Sequence, residues 1–333
     1  MYPTLSSKQE MRKSYLRVGW ATVAVALFPT VASLFLALFS EIPLMEKYIQ
    51  IVTDKYFLFF NEALIGLAVL VGFLCLLGTR AKAPERQRIS FGGFFALFAI
   101  CIALSTIGNY VGQLWTMPID MILGVAEDDL TAVILAQSPW QVFLCVGILA
   151  PILEEFFFRK LLIDRLHPHG EFLAILTSGF LFGLFHQNVG QYFYTFLIGL
   201  VIAYLYCKTG SYLLTVLMHA FFNLFNGVLP SFALPKVTEF LTKAETISTP
   251  DQLVALLPDY GFAVFYYAIH VILLGTLTIL GIVLLIVNFK KIRIKAPPPS
   301  LSVWDMGASA YLNAGMLTAV ILLLNTTIFS LFL

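Results

Sequence analysis

The chain has 333 residues, 59% of them hydrophobic and 12% charged, with a net charge of +1 and a mean hydropathy of +0.89. A soluble domain carries about 25% charged residues, so this chain cannot cover itself with polar surface, and its outer solvent is lipid. A soluble globular fold and a nucleic-acid partner are both excluded on these grounds.

A helix needs about 20 apolar residues to cross the hydrocarbon core. Apolar runs of suitable length lie at 18–40, 57–78, 91–115, 140–162, 172–189, 191–207, 212–229, 261–289 and 309–333. They are continuously apolar, unlike the alternating segments of a β-barrel. The fold class is therefore all-α, a polytopic transmembrane helical bundle of eight or nine spans. The first run has no small-residue cleavage site after it and reads as a retained helix. The last run, behind the Lys- and Pro-rich linker 290–299, is the one that separates eight spans from nine. The stretch 230–260 reads as the longest loop, external and too short for a domain core. Three regions follow: N-terminal helices over 1–139, a four-helix core over 140–230, and an external loop with the C-terminal helices over 231–333.

Basic residues in the loops set orientation. Lys8, Arg12, Lys13, Arg17, Arg80, Lys82, Arg86, Arg88, Arg159, Lys160, Arg165, Lys208, Lys290, Lys291, Arg293 and Lys295 fall on one side. The other side holds only Lys47, Lys55, Lys236 and Lys243, among acids such as Glu127, Asp128 and Asp129. The split places the N-terminus in the cytoplasm. The compact chain reads as a multi-pass bacterial cell-membrane protein, with the bilayer as its first partner.

Ionisable groups inside a bilayer are costly and point to function. Here they cluster in the middle third. The fourth run reads Pro-Ile-Leu-Glu-Glu-Phe-Phe-Phe-Arg from Pro151 to Arg159, the fifth Phe-Gly-Leu-Phe-His from Phe182 to His186, and the seventh His-Ala-Phe-Phe-Asn from His219 to Asn223. The fourth and fifth runs turn near His167–Gly170. Glu154 lies sixteen residues before Gly170 and His186 sixteen after it, which puts them at similar height on antiparallel helices. His219 and Asn223, four apart, share a helix face. A carboxylate in a low-dielectric site can act as general base or acid, and Arg159 is the natural partner of Glu155. Histidine can orient water or move a proton, and an Asn amide or second His can serve a developing oxyanion. Glu154, His186 and His219 also make a ligand set for zinc or another divalent metal with an open position for water. Both schemes lead to amide hydrolysis by activated water. H-E-x-x-H, G-x-S-x-G and paired intramembrane aspartates are missing.

Glu-Glu-x-x-x-Arg at 154–159, Phe-x-x-x-His at 182–186 and His-x-x-x-Asn at 219–223 resemble the three signature motifs of the CPBP family of CaaX- and bacteriocin-processing enzymes, also called the Abi family, which includes the type II CaaX prenyl endopeptidases. The stretch 196–211 resembles the family too, and the likeness covers roughly 140–230. It implies an intramembrane endopeptidase. Glu154 and His186 would activate water, His219 and Asn223 would stabilise the oxyanion, and Glu155 and Arg159 would shape and polarise the site. The family is usually called a metalloprotease, and the motifs leave a metal undecided. The expected substrate is a short peptide or a membrane-anchored protein, with a prenylated peptide as runner-up. A non-catalytic scaffold or immunity protein, or a transporter, is the competing class. Paired repeats that would favour a transporter are not seen.

Several other residues read as structural. The four cysteines (Cys75, Cys101, Cys145, Cys207) lie in apolar runs without metal or redox spacing. His270 is a lone histidine, and Asn61 and Glu62 sit near the end of the second run, where an interfacial placement is expected. His167 and His169 belong to a turn, and the basic run 290–295 enforces topology and touches anionic lipid.

Overall fold

The structure is a computed structural model that describes residues 5–123, 137–295 and 301–329. Every described regular element is helical, as lipid demands of a chain whose backbone must satisfy its own hydrogen bonds. In chain order the helices are α1 (Leu5–Ser40), α2 (Pro43–Gln50), α3 (Phe57–Cys75) and α4 (Phe91–Leu123). The segment α5 (Pro139–His169) follows, then α6 (Glu171–Phe185), α7 (Val189–Thr209) and α8 (Tyr212–Ser231). The chain continues through α9 (Leu234–Ala244), α10 (Pro250–Asn288), α11 (Val303–Tyr311) and α12 (Ala314–Phe329).

Among the described residues, seven helices are long and apolar enough to cross a membrane, and α11 with α12 make an eighth, bent by 69°. The fifth apolar run departs from its expected form. Its helix, α6, has 15 residues, about 22 Å at about 1.5 Å per residue, short of the about 30 Å of hydrocarbon. His186 therefore does not lie inside a span. It follows the last turn of a short helix, where Gln187 adopts φ +50° and the Asn188 side chain caps α7 by accepting from the Gln191 amide at 2.9 Å. The stretch 230–260 also differs from the expected loop. Val237 on α9 is buried with Ala233 and Ala263, which folds an amphipathic helix back onto α10. A Thr249–Gln252 capping box starts α10 at Pro250, eleven residues before the apolar run begins.

The loops rich in Lys and Arg gather at one end of the bundle. The Lys82 amide donates to the Asp164 carbonyl at 2.7 Å and the Gln87 amide to the Thr209 carbonyl at 3.3 Å. Arg165 Nε donates to Thr79 Oγ1 at 2.5 Å, and Lys208 pairs with Glu171 at 2.6 Å. The turn from α7 to α8 passes through Gly210 at φ +58°, where a Cβ would lie 2.4 Å from the Pro84 carbonyl oxygen. The expected turn between α5 and α6 is present as a tight 3-10 turn over His167–His169.

At the centre α7 packs against α4, α6 and α8. The approach to α4 is backbone to backbone. A Cβ on Gly108 would come within 2.6 Å of the Tyr194 Cα, and one on Gly112 within 2.3 Å of the Gly190 carbonyl oxygen. Small residues four apart permit this in a membrane, where helices associate by packing rather than by expelling water. Gly108→Ile should therefore cost about 1–3 kcal/mol of packing strain and lower the melting temperature in detergent. Gly92→Ile, where a Cβ has no neighbour within 4 Å, should leave it unchanged or raised.

Candidate active site

The site is built from α5, α6 and α8, and its backbone is irregular where the chemistry sits. Within α5, π-helical turns at Cys145–Leu149 and Phe156–Ile163 flank the α-helical Ala150–Glu155. In α8 a π-helical turn, Leu224–Val228, follows Asn223 directly. Such turns occur frequently at functional sites because they re-aim side chains and loosen the regular ladder.

Glu155 and Arg159 are entirely buried, and Glu155 Oε2 lies 3.1 Å from Arg159 Nε. The guanidinium carbon of Arg159 sits 4.8 Å from the centre of the Phe182 ring, within cation–π range, and Nη2 approaches the Gly199 carbonyl at 3.4 Å. The second oxygen of Glu155 accepts from His219 Nδ1 at 2.9 Å. That contact fixes the ring and turns Nε2 toward Glu154, whose Oε2 is 3.8 Å away. Arg159, Glu155, His219 and Glu154 thus form one continuous chain of charge and hydrogen bonding.

His186 joins from the end of α6. Its Nδ1 donates to the Phe182 carbonyl at 2.9 Å, leaving Nε2 as the free nitrogen, and it lies within electrostatic range of Glu154 and His219. The Phe182 ring holds the two imidazoles by edge contacts, 4.9 Å to His186 and 5.6 Å to His219. Asn223 Nδ2 donates to the Val146 carbonyl at 2.8 Å, which belongs to the first π-helical turn of α5.

The structure brings Glu154, Glu155, Arg159, His186 and His219 together, with Asn223 one helical turn beyond His219, and the six differ in exposure. Glu154, His186 and Asn223 are partly exposed, whereas His219 is buried at 4% and Glu155 and Arg159 at 0% exposure. Glu155 and Arg159 act only through His219 and the packing around it. Two residues carry more than the sequence assigned them. Phe182 is the wedge on which Arg159, His186 and His219 all rest. Glu62, near the start of α3, is buried at 7% exposure and electrostatically coupled to Glu154. Its only sequence signal was an acid inside an apolar run. His270 stays outside the site, 4.9 Å from the Phe225 ring in an aromatic contact.

Each imidazole keeps one free nitrogen, as a ligand to zinc would. Even so, among the described residues no three His, Cys, Asp or Glu side chains converge as a ligand set.

A buried ion pair costs desolvation, and removing one partner leaves the other charge uncompensated. Arg159→Met should destabilise the protein by about 3–5 kcal/mol, read as lower melting temperature and poor folded yield in detergent. Adding Glu155→Gln should recover much of that loss.

Residues 136–225 match the family model described as type II CAAX prenyl endopeptidase Rce1-like. No curated protein and no solved structure matches the chain. The matched residues span α5 through α8 up to Asn223, the segment that builds the site. This segment is thus similar to that family, and it contains all three motifs, at 154–159, 182–186 and 219–223.

Proposed function

We propose that the protein is an intramembrane endopeptidase that hydrolyses a peptide bond in a short peptide or membrane-anchored protein, toward its basic, cytoplasmic side. The observation that carries this reading is the oriented set in which Arg159 and Glu155 hold His219 beside Glu154, with His186 Nε2 free nearby. A buried carboxylate that orients an imidazole is a recurring device of hydrolytic sites. The His219 ring stands between the two carboxylates, and one guanidinium pairs with the inner of them.

In the proposed reaction a water is held between Glu154 and His186. Glu154 takes its proton as the water oxygen attacks the scissile carbonyl carbon. The charge that develops on the carbonyl oxygen is met by His219 Nε2–H and by the second Nδ2 hydrogen of Asn223. The C–N bond then breaks, the nitrogen gains a proton, and a carboxyl end and an amine end leave. These steps use side chains of this chain alone. A prenylated peptide is the narrower substrate reading, supported by the description of the matching family. A lipidated and an unlipidated peptide of one sequence separate the two, because equal cleavage removes the prenyl requirement.

In nanodiscs, wild type should cleave members of a quenched peptide library. Glu154→Gln, with an unchanged melting temperature, should be slower by about 10²–10⁴. Equal cleavage by both would place the activity elsewhere, and no cleavage by either would favour a non-catalytic scaffold. Activity lost to a chelator and restored by a divalent ion would bring a metal into the mechanism.

A further inference from the structure

The strip of chain before α4 is pinned to the basic end of α7. The Gln87 amide donates to the Thr209 carbonyl at 3.3 Å. Gly210 lies so close to Pro84 that a Cβ on it would stand 2.4 Å from the Pro84 carbonyl oxygen. These backbone contacts bring Arg88 and Lys208, the neighbours of Gln87 and Thr209, to one open cleft of about 250 Å³ between α4 and α7. The lining of the cleft carries these two cations and no acid. Its other walls include Gly93 and Leu97 of α4 and Leu205 of α7.

The two cations are held differently. Arg88 is exposed, and among the described residues it forms no ion pair. Glu85, in the same strip, pairs instead with Lys295 at 3.6 Å. Lys208 lies 2.6 Å from the enclosed Glu171 carboxylate and 5.4 Å from the centre of the Tyr204 ring. Those contacts fix the ammonium at the cleft and leave it further hydrogens to donate. Leu97 is six residues into α4, so the cleft runs about 9 Å along that helix, away from the basic end and into the apolar part of the bundle. A small soluble anion needs the cations and not the apolar depth. A phospholipid needs both, because its charged phosphate is joined directly to apolar chains. Basic pockets between transmembrane helices take anionic head groups in this way.

We propose that this cleft binds an anionic phospholipid from the leaflet at the basic end. Its phosphate lies between Arg88 and Lys208, and the first part of its acyl chains lies along Gly93, Leu97 and Leu205. The bound lipid joins α4 to α7 at the end of the seam that Gly108 and Gly112 close further along. This site is separate from the candidate active site and does not rest on the endopeptidase reading.

The test uses the purified full-length chain, stripped of lipid in a non-ionic detergent. It is titrated with phosphatidylglycerol or with phosphatidylcholine of the same chains, and bound lipid is counted by native mass spectrometry beside the melting temperature. Phosphatidylglycerol should bind saturably and raise the melting temperature, and phosphatidylcholine should bind far more weakly. Arg88→Glu should weaken phosphatidylglycerol binding by about tenfold. Arg86→Glu makes the same change in net charge at an exposed arginine outside the lining, and should leave binding little changed. Gly93→Leu adds a side chain where a Cβ meets only the movable Ile89 and Ser90 side chains, at 3.1 Å; it should weaken binding severalfold with no change of charge. Should Arg88→Glu fail to fold, Arg88→Gln and Arg86→Gln make the same comparison. Equal binding of the two lipids, or equal loss in the two arginine variants, overturns the proposal, since only the overall charge of that end would then be at work. Displacement of the lipid by inorganic phosphate, with Gly93→Leu unaffected, overturns it in favour of a site for a free anion.

Discussion

The buried pair between Glu155 and Arg159 is the constraint on which the rest of the site depends. Both groups are fully enclosed, 3.1 Å apart, in a chain whose exterior is apolar. Taking two charges out of water costs several kcal/mol per ion, and the attraction between them offsets this only when the remaining polar atoms find partners. Three other helices supply partners, His219 on α8, the Phe182 ring on α6 and the Gly199 carbonyl on α7, while Arg159 Nη1 has no hydrogen-bond partner. Satisfying one ion pair therefore fixes four helices relative to one another, and the two imidazoles are carried into place by the same contacts. Arg suits the position better than Lys, since a flat guanidinium can pair along one edge while its face lies on an aromatic ring.

That arrangement asks for backbone that regular helices do not supply. Glu154 and Glu155 are adjacent in sequence, and on an ideal helix they point about 100° apart. Both nevertheless reach His219, one at each ring nitrogen. The His219 ring stands between the two carboxylates, and the first π-helical turn of α5 offers the Val146 carbonyl to Asn223. The end of α6 performs the same service for His186, with Gln187 in a left-handed conformation that a residue bearing a Cβ seldom adopts. Strain of this sort persists where surrounding structure holds it, and it collects at functional sites.

These irregularities mark the limit of what the sequence made legible. The nine apolar runs and the basic asymmetry followed from composition alone, because lipid permits few alternatives to helix. Glu154, His186, His219 and Asn223 stood out because polar groups are conspicuous in apolar runs, and the geometry brings them together. The break after Phe185 was hidden because 172–189 is apolar throughout, and hydropathy does not report where a helix ends. Glu62 was hidden for another reason. An acid five residues into α3 is compatible with an interfacial placement, and only the folded chain shows its burial and its coupling to Glu154. Phe182 was visible as a motif letter, but its place beneath three polar groups is a property of the packing.

Hydrolysis within a bilayer needs water at depth, and the same irregular features bear on that. Backbone that is neither helix nor closed barrel is tolerated at membrane depth only where protein buries it or where it lines a water-filled cavity. The connection His186–Asn188 is such backbone. It lies sixteen residues along from Gly170 at the basic end, about 24 Å at helical rise. Glu154, His186 and Asn223 are the partly exposed groups, while Glu155, Arg159 and His219 are buried. A full-length α6 would close this level of the membrane with lipid-facing side chains. A short one ends where His186 meets the Phe182 ring and the charge of Glu154, so the length of that helix, as much as any side chain, fixes where His186 stands.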